Sequence, residues 1–360
     1  MSPRRRAIVC GTSFGRFYLQ ALAQHPQIEL AGVLSTGSRA SAECAEQYNI
    51  AHYTVLSELP SDIDLACVVV RAGVSGGPGG DVSEALLTRG IHVLQEHPLH
   101  PAELARCLRS AHRHGVRYGV NAFYPTVAPI ACFIQAAELL RRHGAPRFID
   151  GSCGAQVLYP LLDVAARAVG RLRPSALLPF EPRRCGPYTS LHGDIGGVPC
   201  TLRVQNQIHP ADADNHALLL HRLTLGFDTG ILALADTHGP VIWSPRLHTH
   251  RDDTHRLVLR GSGTERLAVP SSELLVGTEP GTFRDVFDVL WPQAINRAVS
   301  EFIASWGDPS AAARSAQWAS GLTAFWHDVS TALGSPELIY PDAPPPLDLA
   351  ALLPGIGENP

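Results

Sequence analysis

Residues 6–15 read RAIVCGTSFG, and this stretch decides the fold of the first half of the chain. Residues 6–10 form a short apolar run that leads straight into glycine, and apolar residues at helical spacing follow over residues 14–24. A strand that passes through a glycine turn into a helix leaves free backbone N–H groups at the start of that helix, where they can hold an anion. The residues of the predicted turn are Gly11, Thr12, Ser13, Phe14 and Gly15.

The alternation of strands and helices continues to about residue 145. Further strands are predicted at residues 29–34, 64–70, 92–94 and 118–121, and further helices at residues 40–48, 101–114 and 126–143. Continuous apolar strands separated by helices indicate a parallel sheet that is buried on both faces. Right-handed connections between such strands then give a doubly wound, Rossmann-like domain.

The pattern changes after residue 145. Strands are predicted at 147–151 and 155–158, a helix at 160–169, and then strands with no helices between them at 201–207, 217–225, 229–234, 241–243 and 254–260. Such a run is typical of an antiparallel sheet that leaves one face open and can cover a site or form a dimer. Closing helices are predicted at 284–306 and 311–333, and residues 341–354 are Pro-rich.

These patterns predict an α/β protein with two domains. Residues 1–145 form a Rossmann domain with a doubly wound parallel sheet. Residues 146–335 form an α+β domain with a large, mainly antiparallel sheet that binds substrate and dimerises, and residues 336–360 form an extended tail. A chain of 360 residues agrees with two domains.

Composition excludes several function classes. All 29 basic residues are arginine, which rules out Schiff-base chemistry and any lysine proton donor. A net charge of −4 creates no field that would gather nucleic acid. No two of the eight cysteines lie within five residues of each other, so there is no C-x-x-C ligand pair. Because neither an apolar leader nor a membrane-length apolar run is visible, we expect a cytoplasmic protein.

The end of the second predicted strand indicates which dinucleotide binds. Folds that prefer NAD place an acidic residue there, but this segment consists of Ser35, Thr36, Gly37, Ser38 and Arg39. An arginine beside small hydroxyl residues suits a 2′-phosphate, because guanidinium pairs with phosphate bidentately. We therefore expect NADPH. One alternative is that Arg39 is only solvated. Another is that the glycine turn at residues 11–15 is a tight turn without a ligand, since Ser13 replaces the second glycine of the usual G-x-G-x-x-G.

Three more residues are expected at the cofactor, because the carboxyl ends of parallel strands meet at the edge of the sheet where ligands bind. Arg71 opens the glycine-rich segment RAGVSGGPGG after the strand at 64–70. Glu96 ends the next predicted strand and Asn121 ends the last one. His100 stands directly before Pro101, where a role at the start of the following helix is expected.

The segment Gln95-Glu96-His97-Pro98, followed later by an antiparallel sheet, resembles the Gfo/Idh/MocA oxidoreductase superfamily. That family carries E-K-P here, with its lysine near the substrate, and D-x-x-x-H on the helix that opens the second domain. This chain has His97 in the place of the lysine, and residues 156–163 (QVLYPLLD) lack the Asp/His pair. A sugar or cyclitol dehydrogenase is therefore the alternative and not the main prediction.

A narrower resemblance fits more of the chain. The GTSFG turn, VVVR with its glycine-rich loop, EHPLH, NAFYP at residues 121–125 and GAQVLYPLLD at residues 154–163 are similar to the thiazolinyl imine reductases of siderophore assembly lines. This resemblance implies NADPH-dependent reduction of a thiazoline C=N to a thiazolidine. The implied substrate is a yersiniabactin- or pyochelin-type intermediate, held as a thioester on a nonribosomal peptide synthetase carrier domain. We expect a homodimer, with neither nucleic acid nor membrane as a partner.

The implied reaction needs hydride at the imine carbon and a proton at the ring nitrogen, so one general acid suffices. The resemblance places two candidate donors by position, Tyr124 after the last Rossmann strand and His97 in place of the family lysine. Water is the third possible donor, and each side chain has a purely structural alternative as a packed or cofactor-binding group. Outside the enzymes, the alternative is a non-catalytic dinucleotide-binding protein.

Two histidine-containing segments are expected to be loops. The first contains His248, His250, Asp252, Asp253 and His255 and resembles a metal site only in composition, so we expect a solvated connection and no metal. The second, residues 192–194 (HGD), is expected to be a flexible loop near the substrate opening.

Overall fold

The computed structural model describes residues 4–180, 186–212, 214–276, 281–345, 347 and 351, without the side chain of Val74. The strands are β1 (Arg5–Cys10), β2 (Ile28–Leu34), β3 (Ala51–Tyr53), β4 (Leu65–Val68), β5 (His92–Glu96), β6 (Tyr118–Asn121), β7 (Phe148–Gly154), β8 (Ser175–Pro179), β9 (Tyr188–Ile195), β10 (Val198–Gln205), β11 (Gln207–Ile208), β12 (His221–Phe227), β13 (Gly230–Leu234), β14 (Val241–Pro245), β15 (Glu273–Val276) and β16 (Glu337–Leu338). The α-helices are α1 (Gly15–Ala23), α2 (Arg39–Gln47), α3 (Gly79–Thr88), α4 (Pro101–Arg113), α5 (Ala128–Arg141), α6 (Leu158–Val169), α7 (Phe283–Asp285), α8 (Trp291–Ala304) and α9 (Pro309–Leu333).

The first sheet is parallel, with six strands in the order β3-β2-β1-β4-β5-β6. Successive side chains of a strand point to opposite faces. Val9 accordingly packs in one buried cluster with Leu19 of α1, and Ile8 packs in another with Leu86 of α3 and Leu104 of α4. Burial on both faces explains the continuous apolar strands, and the predicted doubly wound parallel sheet is confirmed.

The second sheet has eight strands in the order β15-β14-β13-β12-β7-β10-β9-β8. Its neighbouring strands are antiparallel except for β7 and β10, which are parallel. In β10, buried Cys200 and Leu202 alternate with Pro199 and Arg203, which are exposed. This alternation lets one face of the sheet pack on α5 and α6 and leaves the other face exposed to solvent. The predicted large, mainly antiparallel sheet is confirmed.

Three local predictions were wrong. Residues 254–260 form no strand and contribute only an isolated bridge between Arg251 and Leu257, because this segment meets no core and leaves Leu259 62% exposed. Residues 155–157 form a turn of 3-10 helix that leads into α6. Residues 192–194 lie within β9 instead of a loop, paired with β8 and β10. The helix predicted at 284–306 is confirmed, and it contains a π-helical turn at Val286–Leu290.

The last helices return to the first sheet. Helix α8 packs on α1, and α9 packs on α4 and β6. Phe302 of α8 fills the space beside Gly119, where an added Cβ would lie 3.0 Å from its ring, and Arg117 donates a hydrogen bond of 3.0 Å to the carbonyl oxygen of Trp306. One buried cluster consequently contains residues of both sheets.

Other sequence features have these outcomes. His100 accepts a hydrogen bond from Ala102 N at the start of α4, which confirms its predicted place. Cys185 lies outside the described residues, and the other seven cysteines are free thiols. Most of the predicted tail is also outside them, although β16 at its start pairs with β11. None of the helices that the structure describes is long and apolar enough to cross a membrane.

Candidate active site

The glycine turn forms a cradle between β1 and α1. Gly11 has a φ of +88°, and an added Cβ would lie 2.8 Å from Val69 O, so this position requires glycine. Within the described chain, the N–H groups of Thr12, Ser13 and Phe14 donate no hydrogen bond. They precede α1, whose first turn carries no acidic residue. A bare backbone at a helix N-terminus is what a pyrophosphate requires, and the residues present therefore fit a dinucleotide.

The end of β2 is a small network of hydroxyl groups. Ser35 Oγ lies 2.8 Å from His52 Nε2 and 2.7 Å from Ser41 Oγ, and accepts from Gly37 N at 3.2 Å. Ser38 caps α2 by accepting from Ser41 N. The structure thus brings Ser35, Gly37 and Ser38 together and adds His52, which sequence reasoning missed because β3 has only three residues.

Arg39 is the first residue of α2 and points into solvent. Its side chain is 93% exposed, and its Nε donates to Glu43 Oε1 at 2.8 Å. An exposed ion pair one helical turn apart contributes little stability. The guanidinium can therefore leave Glu43 for a phosphate at small cost.

Arg71 lies at the carboxyl edge of the first sheet, three residues after the end of β4. The glycine-rich segment wraps around its main chain, since Gly79 N donates to Arg71 O at 2.8 Å and a Cβ on Gly77 would lie 2.2 Å from the same oxygen. The side chain is exposed, and no hydrogen bond from its guanidinium to a described residue is formed. Arg71 is therefore a cation available to a ligand.

Glu96 ends β5, His97 follows it, and both belong to a largely buried network. Tyr18 of α1 donates its hydroxyl proton to Glu96 Oε2, and Asn121 Nδ2 donates to Tyr18 Oη at 2.6 Å. His97 Nδ1 lies 3.0 Å from Glu96 Oε1 and 3.0 Å from the main-chain oxygen of Asn121. Both neighbours are acceptors, so Nδ1 carries a proton. The structure brings Glu96, His97 and Asn121 together as predicted, and Tyr18 is an addition.

The second domain supplies the other wall of the site. Tyr159 of α6 stacks on the His97 ring with centroids 5.2 Å apart and an interplanar angle of 18°. The Tyr159 hydroxyl lies 3.3 Å from Thr323 Oγ1 of α9. His97 is thereby held between its own strand and a fully buried ring.

Tyr124 follows a strained turn at the end of β6. Phe123 has φ +61° and ψ −64°, and Tyr124 N donates to Ala122 O at 2.7 Å, which is a γ-turn of the rare form. The Tyr124 hydroxyl makes no hydrogen bond to a described residue. Burial, together with the charges of Glu96 and Asp214, raises its pKa well above the ordinary value, so the phenol stays protonated at neutral pH.

His221 of β12 packs edge-on against the Tyr124 ring, with centroids 4.5 Å apart. Its Nε2 lies 3.2 Å from Val157 O and its Nδ1 lies 3.1 Å from Thr237 Oγ1. Burial lowers its pKa to about 3, so the ring is neutral and both nitrogens are occupied. His221 therefore supports Tyr124 and is not a proton donor.

A cavity of about 660 Å³ lies beside β6, and Glu96, His97 and Tyr124 are not among the residues that line it. Its wall includes Asn121 and Phe123 from the β6 end, Asp163 from α6, and Glu301 from α8. This volume lies within the range of small-molecule sites. Among the described residues, no group of three or more His, Cys, Asp or Glu side chains could hold a metal ion.

Comparisons with known proteins agree with this architecture. Residues 5–122 match a family model described as an oxidoreductase family with an NAD-binding Rossmann fold (GFO_IDH_MocA). Residues 144–244 match a model described as the C-terminal domain of Irp3-like thiazolinyl imine reductases. No curated protein sequence matches the chain.

Solved structures share the fold at low sequence identity. A UDP-N-acetylglucosamine 3-dehydrogenase from Acidithiobacillus ferrooxidans is 15% identical with a TM-score of 0.64, over 92% of this chain and 98% of that one. A dehydrogenase from Chromobacterium violaceum is 12% identical, with a TM-score of 0.65 over 92% and 96% of the two chains. An Agrobacterium radiobacter oxidoreductase in complex with NAD+, L-tartaric acid and magnesium is 11% identical, with a TM-score of 0.63 over 91% and 96%.

The cradle, the strand order and the two family matches lead to the same conclusion. The cofactor is a nicotinamide dinucleotide, held at the first sheet. Residues 5–122 match the Gfo/Idh/MocA oxidoreductases and residues 144–244 match the C-terminal domain of Irp3-like proteins, so the chain is an oxidoreductase.

Proposed function

We propose that this protein reduces a thiazoline C=N to a thiazolidine with NADPH, on a siderophore intermediate bound to a nonribosomal peptide synthetase. The observation that carries the proposal is the Irp3-like match over residues 144–244. That segment contributes Tyr159 and His221, which contact the two candidate proton donors. We place the reaction in the cytoplasm.

Reduction of the C=N bond requires a hydride and a proton. The reduced nicotinamide supplies a hydride to the imine carbon. The π electron pair moves to nitrogen, which takes one proton and becomes an amine. The chain's own residues must therefore hold that proton at an atom facing the substrate.

His97 suits the transfer better than Tyr124. Its Nδ1 is hydrogen-bonded to the Asn121 carbonyl oxygen and lies 3.0 Å from Glu96 Oε1, so a proton given to the substrate must come from Nε2. Efficient general acids have a pKa near the working pH, and the raised pKa of Tyr124 makes its phenol a weaker acid. We assign proton donation to His97 Nε2 and orientation of the substrate to the free Tyr124 hydroxyl.

Substrate reduction tests the proposal directly. The loss of NADPH absorbance is followed with a soluble ester of a hydroxyphenyl-thiazolinyl-thiazoline, with NADH in parallel. Turnover with a preference for NADPH supports the proposal. Absence of turnover by protein that binds NADPH would overturn it, and a screen of polyols would then separate a sugar or cyclitol dehydrogenase from a non-catalytic binder.

The NADPH preference is tested at Arg39. Arg39→Ala is expected to weaken NADPH binding about tenfold or more and to change NADH binding by less than twofold, because only NADPH carries the 2′-phosphate. Calorimetry measures both affinities. Arg142→Ala is the matched control, since Arg142 also forms an exposed ion pair one turn along a helix, with Glu138 at 3.4 Å. An unchanged ratio of NADPH to NADH affinity in Arg39→Ala would refute this assignment.

The open face of the second sheet suggests a homodimer. Leu178 of β8 is 64% exposed and Phe180, just beyond it, is 66% exposed. Pairing two such faces would bury these side chains. Sedimentation velocity is expected to give twice the chain mass, and Leu178→Glu is expected to shift the protein towards monomer. A monomeric wild type would contradict the proposal.

A further inference from the structure

We propose that His52 of β3 is a positioning residue for the 2′-phosphate of NADPH, and that it acts by fixing the hydroxyl group of Ser35. The phosphate itself is then bound by Ser38 and Arg39. This inference rests on the NADPH preference of the proposed function and does not depend on the substrate. The sequence predicted both serines as cofactor ligands, and the hydrogen bonds at the end of β2 give them different roles.

The turn after β2 lies beside the cradle that fits a pyrophosphate. Gly11 N donates to the main-chain oxygen of Leu34, the last residue of β2, at 2.9 Å. The next residue is fixed from the other side by β3, because Ser35 N donates to the main-chain oxygen of Tyr53 at 3.0 Å. A dinucleotide held at the cradle therefore has its adenosine ribose at this turn.

The directions of the hydrogen bonds in this turn follow from one carbonyl group. Ser41 Oγ lies 2.7 Å from the main-chain oxygen of Ser38, which can only accept, so the single proton of the Ser41 hydroxyl is used there. Ser41 Oγ must then accept in its 2.7 Å contact with Ser35 Oγ. Because this contact uses the only proton of the Ser35 hydroxyl, His52 Nε2 is the donor in its 2.8 Å contact with Ser35 Oγ.

Ser35 consequently has no hydrogen-bonding capacity left for a ligand. Its proton goes to Ser41, and its oxygen accepts from His52 Nε2. The same oxygen accepts from Gly37 N at 3.2 Å. A hydroxyl group has one proton and two lone pairs, and all three are engaged here. Ser35 thus supports the turn and does not belong to the phosphate site.

Ser38 keeps a proton that it can give to a phosphate. Its side chain is exposed, and its Oγ accepts from Ser41 N at 3.2 Å. The other contact of Ser38 Oγ, with Ser41 Oγ, is 3.1 Å long, which is beyond the usual range for two hydroxyl groups. The main-chain N–H groups of Arg39 and Ala40, at the start of α2, donate to no described residue. A hydroxyl, a guanidinium and free N–H groups are the donors that a phosphate accepts.

His52 fixes the geometry of these donors. Ser35, Ser41 and Ser38 form one chain of hydrogen bonds that begins at the imidazole. Without the Nε2 donor, the Ser35 hydroxyl can rotate and release Ser41. His52 is half-buried and is held in β3, where strand pairing aligns it with Val33 of β2. Its effect on a phosphate therefore passes through Ser35.

The test is calorimetric titration of the full chain with NADPH and, separately, with NADH. His52→Ala is expected to weaken NADPH binding about three- to tenfold, the usual effect of one lost hydrogen bond. NADH binding is expected to change by less than twofold, because NADH lacks the 2′-phosphate. His52→Gln, whose amide nitrogen can replace Nε2 as the donor to Ser35, is expected to restore most of the NADPH affinity.

His114→Ala is the matched control. His114 also makes a hydrogen bond through its ring, with Nδ1 2.9 Å from the main-chain oxygen of Ser110. It stands at the end of α4, before β6, and therefore at the opposite edge of the sheet from the cofactor. Both affinities are expected to equal those of the wild type.

A second variant serves if His52→Ala does not fold. In His52→Asn the amide nitrogen takes the place of Nδ1 and stops short of Ser35, so the same fall in NADPH affinity is expected. Ser35→Ala completes a double-mutant cycle. The double variant is expected to bind NADPH no more weakly than Ser35→Ala alone, since His52 then has no hydroxyl to fix.

Several results would overturn the proposal. Equal losses in His52→Gln and His52→Ala would show that the imidazole itself contacts the phosphate. Equal weakening of NADPH and NADH binding would show that the whole turn is loosened, and additive losses in the double variant would separate His52 from Ser35. An unchanged ratio of affinities in His52→Ala would refute this inference alone, whereas a wild type that binds both dinucleotides equally would refute the NADPH preference as well.

Discussion

His97→Gln is expected to lower kcat for the thiazoline ester by about 10²–10⁴-fold, the usual contribution of a general acid. The loss should fall on kcat, because His97 Nε2 acts on the substrate nitrogen while the dinucleotide is held by the cradle at Gly11 and by Arg39. NADPH affinity is accordingly expected to stay within twofold of the wild type. Steady-state kinetics and calorimetry measure the two quantities separately.

The pH profile and Tyr124→Phe complete this experiment. Tyr124→Phe should then cost only about tenfold, the effect of one lost hydrogen bond. A flat profile through neutral pH, with the larger loss in Tyr124→Phe, would instead identify Tyr124 as the donor, because its raised pKa keeps the phenol protonated throughout.

Gly11→Ala is expected to lower the free energy of unfolding by about 3 kcal/mol and to weaken NADPH binding more than tenfold. A residue other than glycine at a φ of +88° costs roughly 1–2 kcal/mol. The new methyl group would also lie 2.8 Å from Val69 O, so the ends of β1 and β4 must separate. That movement displaces the N–H groups of Thr12 and Ser13. Urea denaturation and calorimetry provide the measurements.

Gly90→Ala is the matched control for this variant. Gly90 has a similar φ of +80°, but an added Cβ there meets nothing within 4 Å. Gly90→Ala is therefore expected to lower the free energy of unfolding by about 1 kcal/mol, from the backbone conformation alone, and to leave NADPH binding unchanged. Equal destabilisation by the two substitutions would show that the close approach of β1 to β4 is not what requires Gly11.

Local sequence predicted much of the fold. The strand, turn and helix at residues 6–24 are specified by neighbours in the chain, since glycine must stand where the backbone turns and apolar residues must face the sheet. The same reasoning brought Glu96, His97 and Asn121 to one edge, because parallel strands end there together. The prediction failed at 254–260, where an apparently alternating segment has no buried surface to pack on.

The second half of the site could not be predicted in this way. Tyr18, Tyr159 and His221 reach the site from α1, α6 and β12, and each occupies a position that reads as ordinary core. Their roles arise from contacts between segments far apart in sequence, such as Tyr18 with Glu96. No local pattern distinguishes a buried tyrosine that only packs from one that directs a carboxylate.

The return of α8 and α9 to the first sheet has a consequence for the order of folding during synthesis. Strand β6 is the edge of that sheet, and α9, which packs on it, is made long after β6. The first sheet therefore leaves the ribosome with an uncovered edge and part of its apolar surface exposed, a state that favours pairing with other chains. A chain shortened before Trp291 would remain in that state, so the Rossmann half is expected to aggregate when it is produced alone.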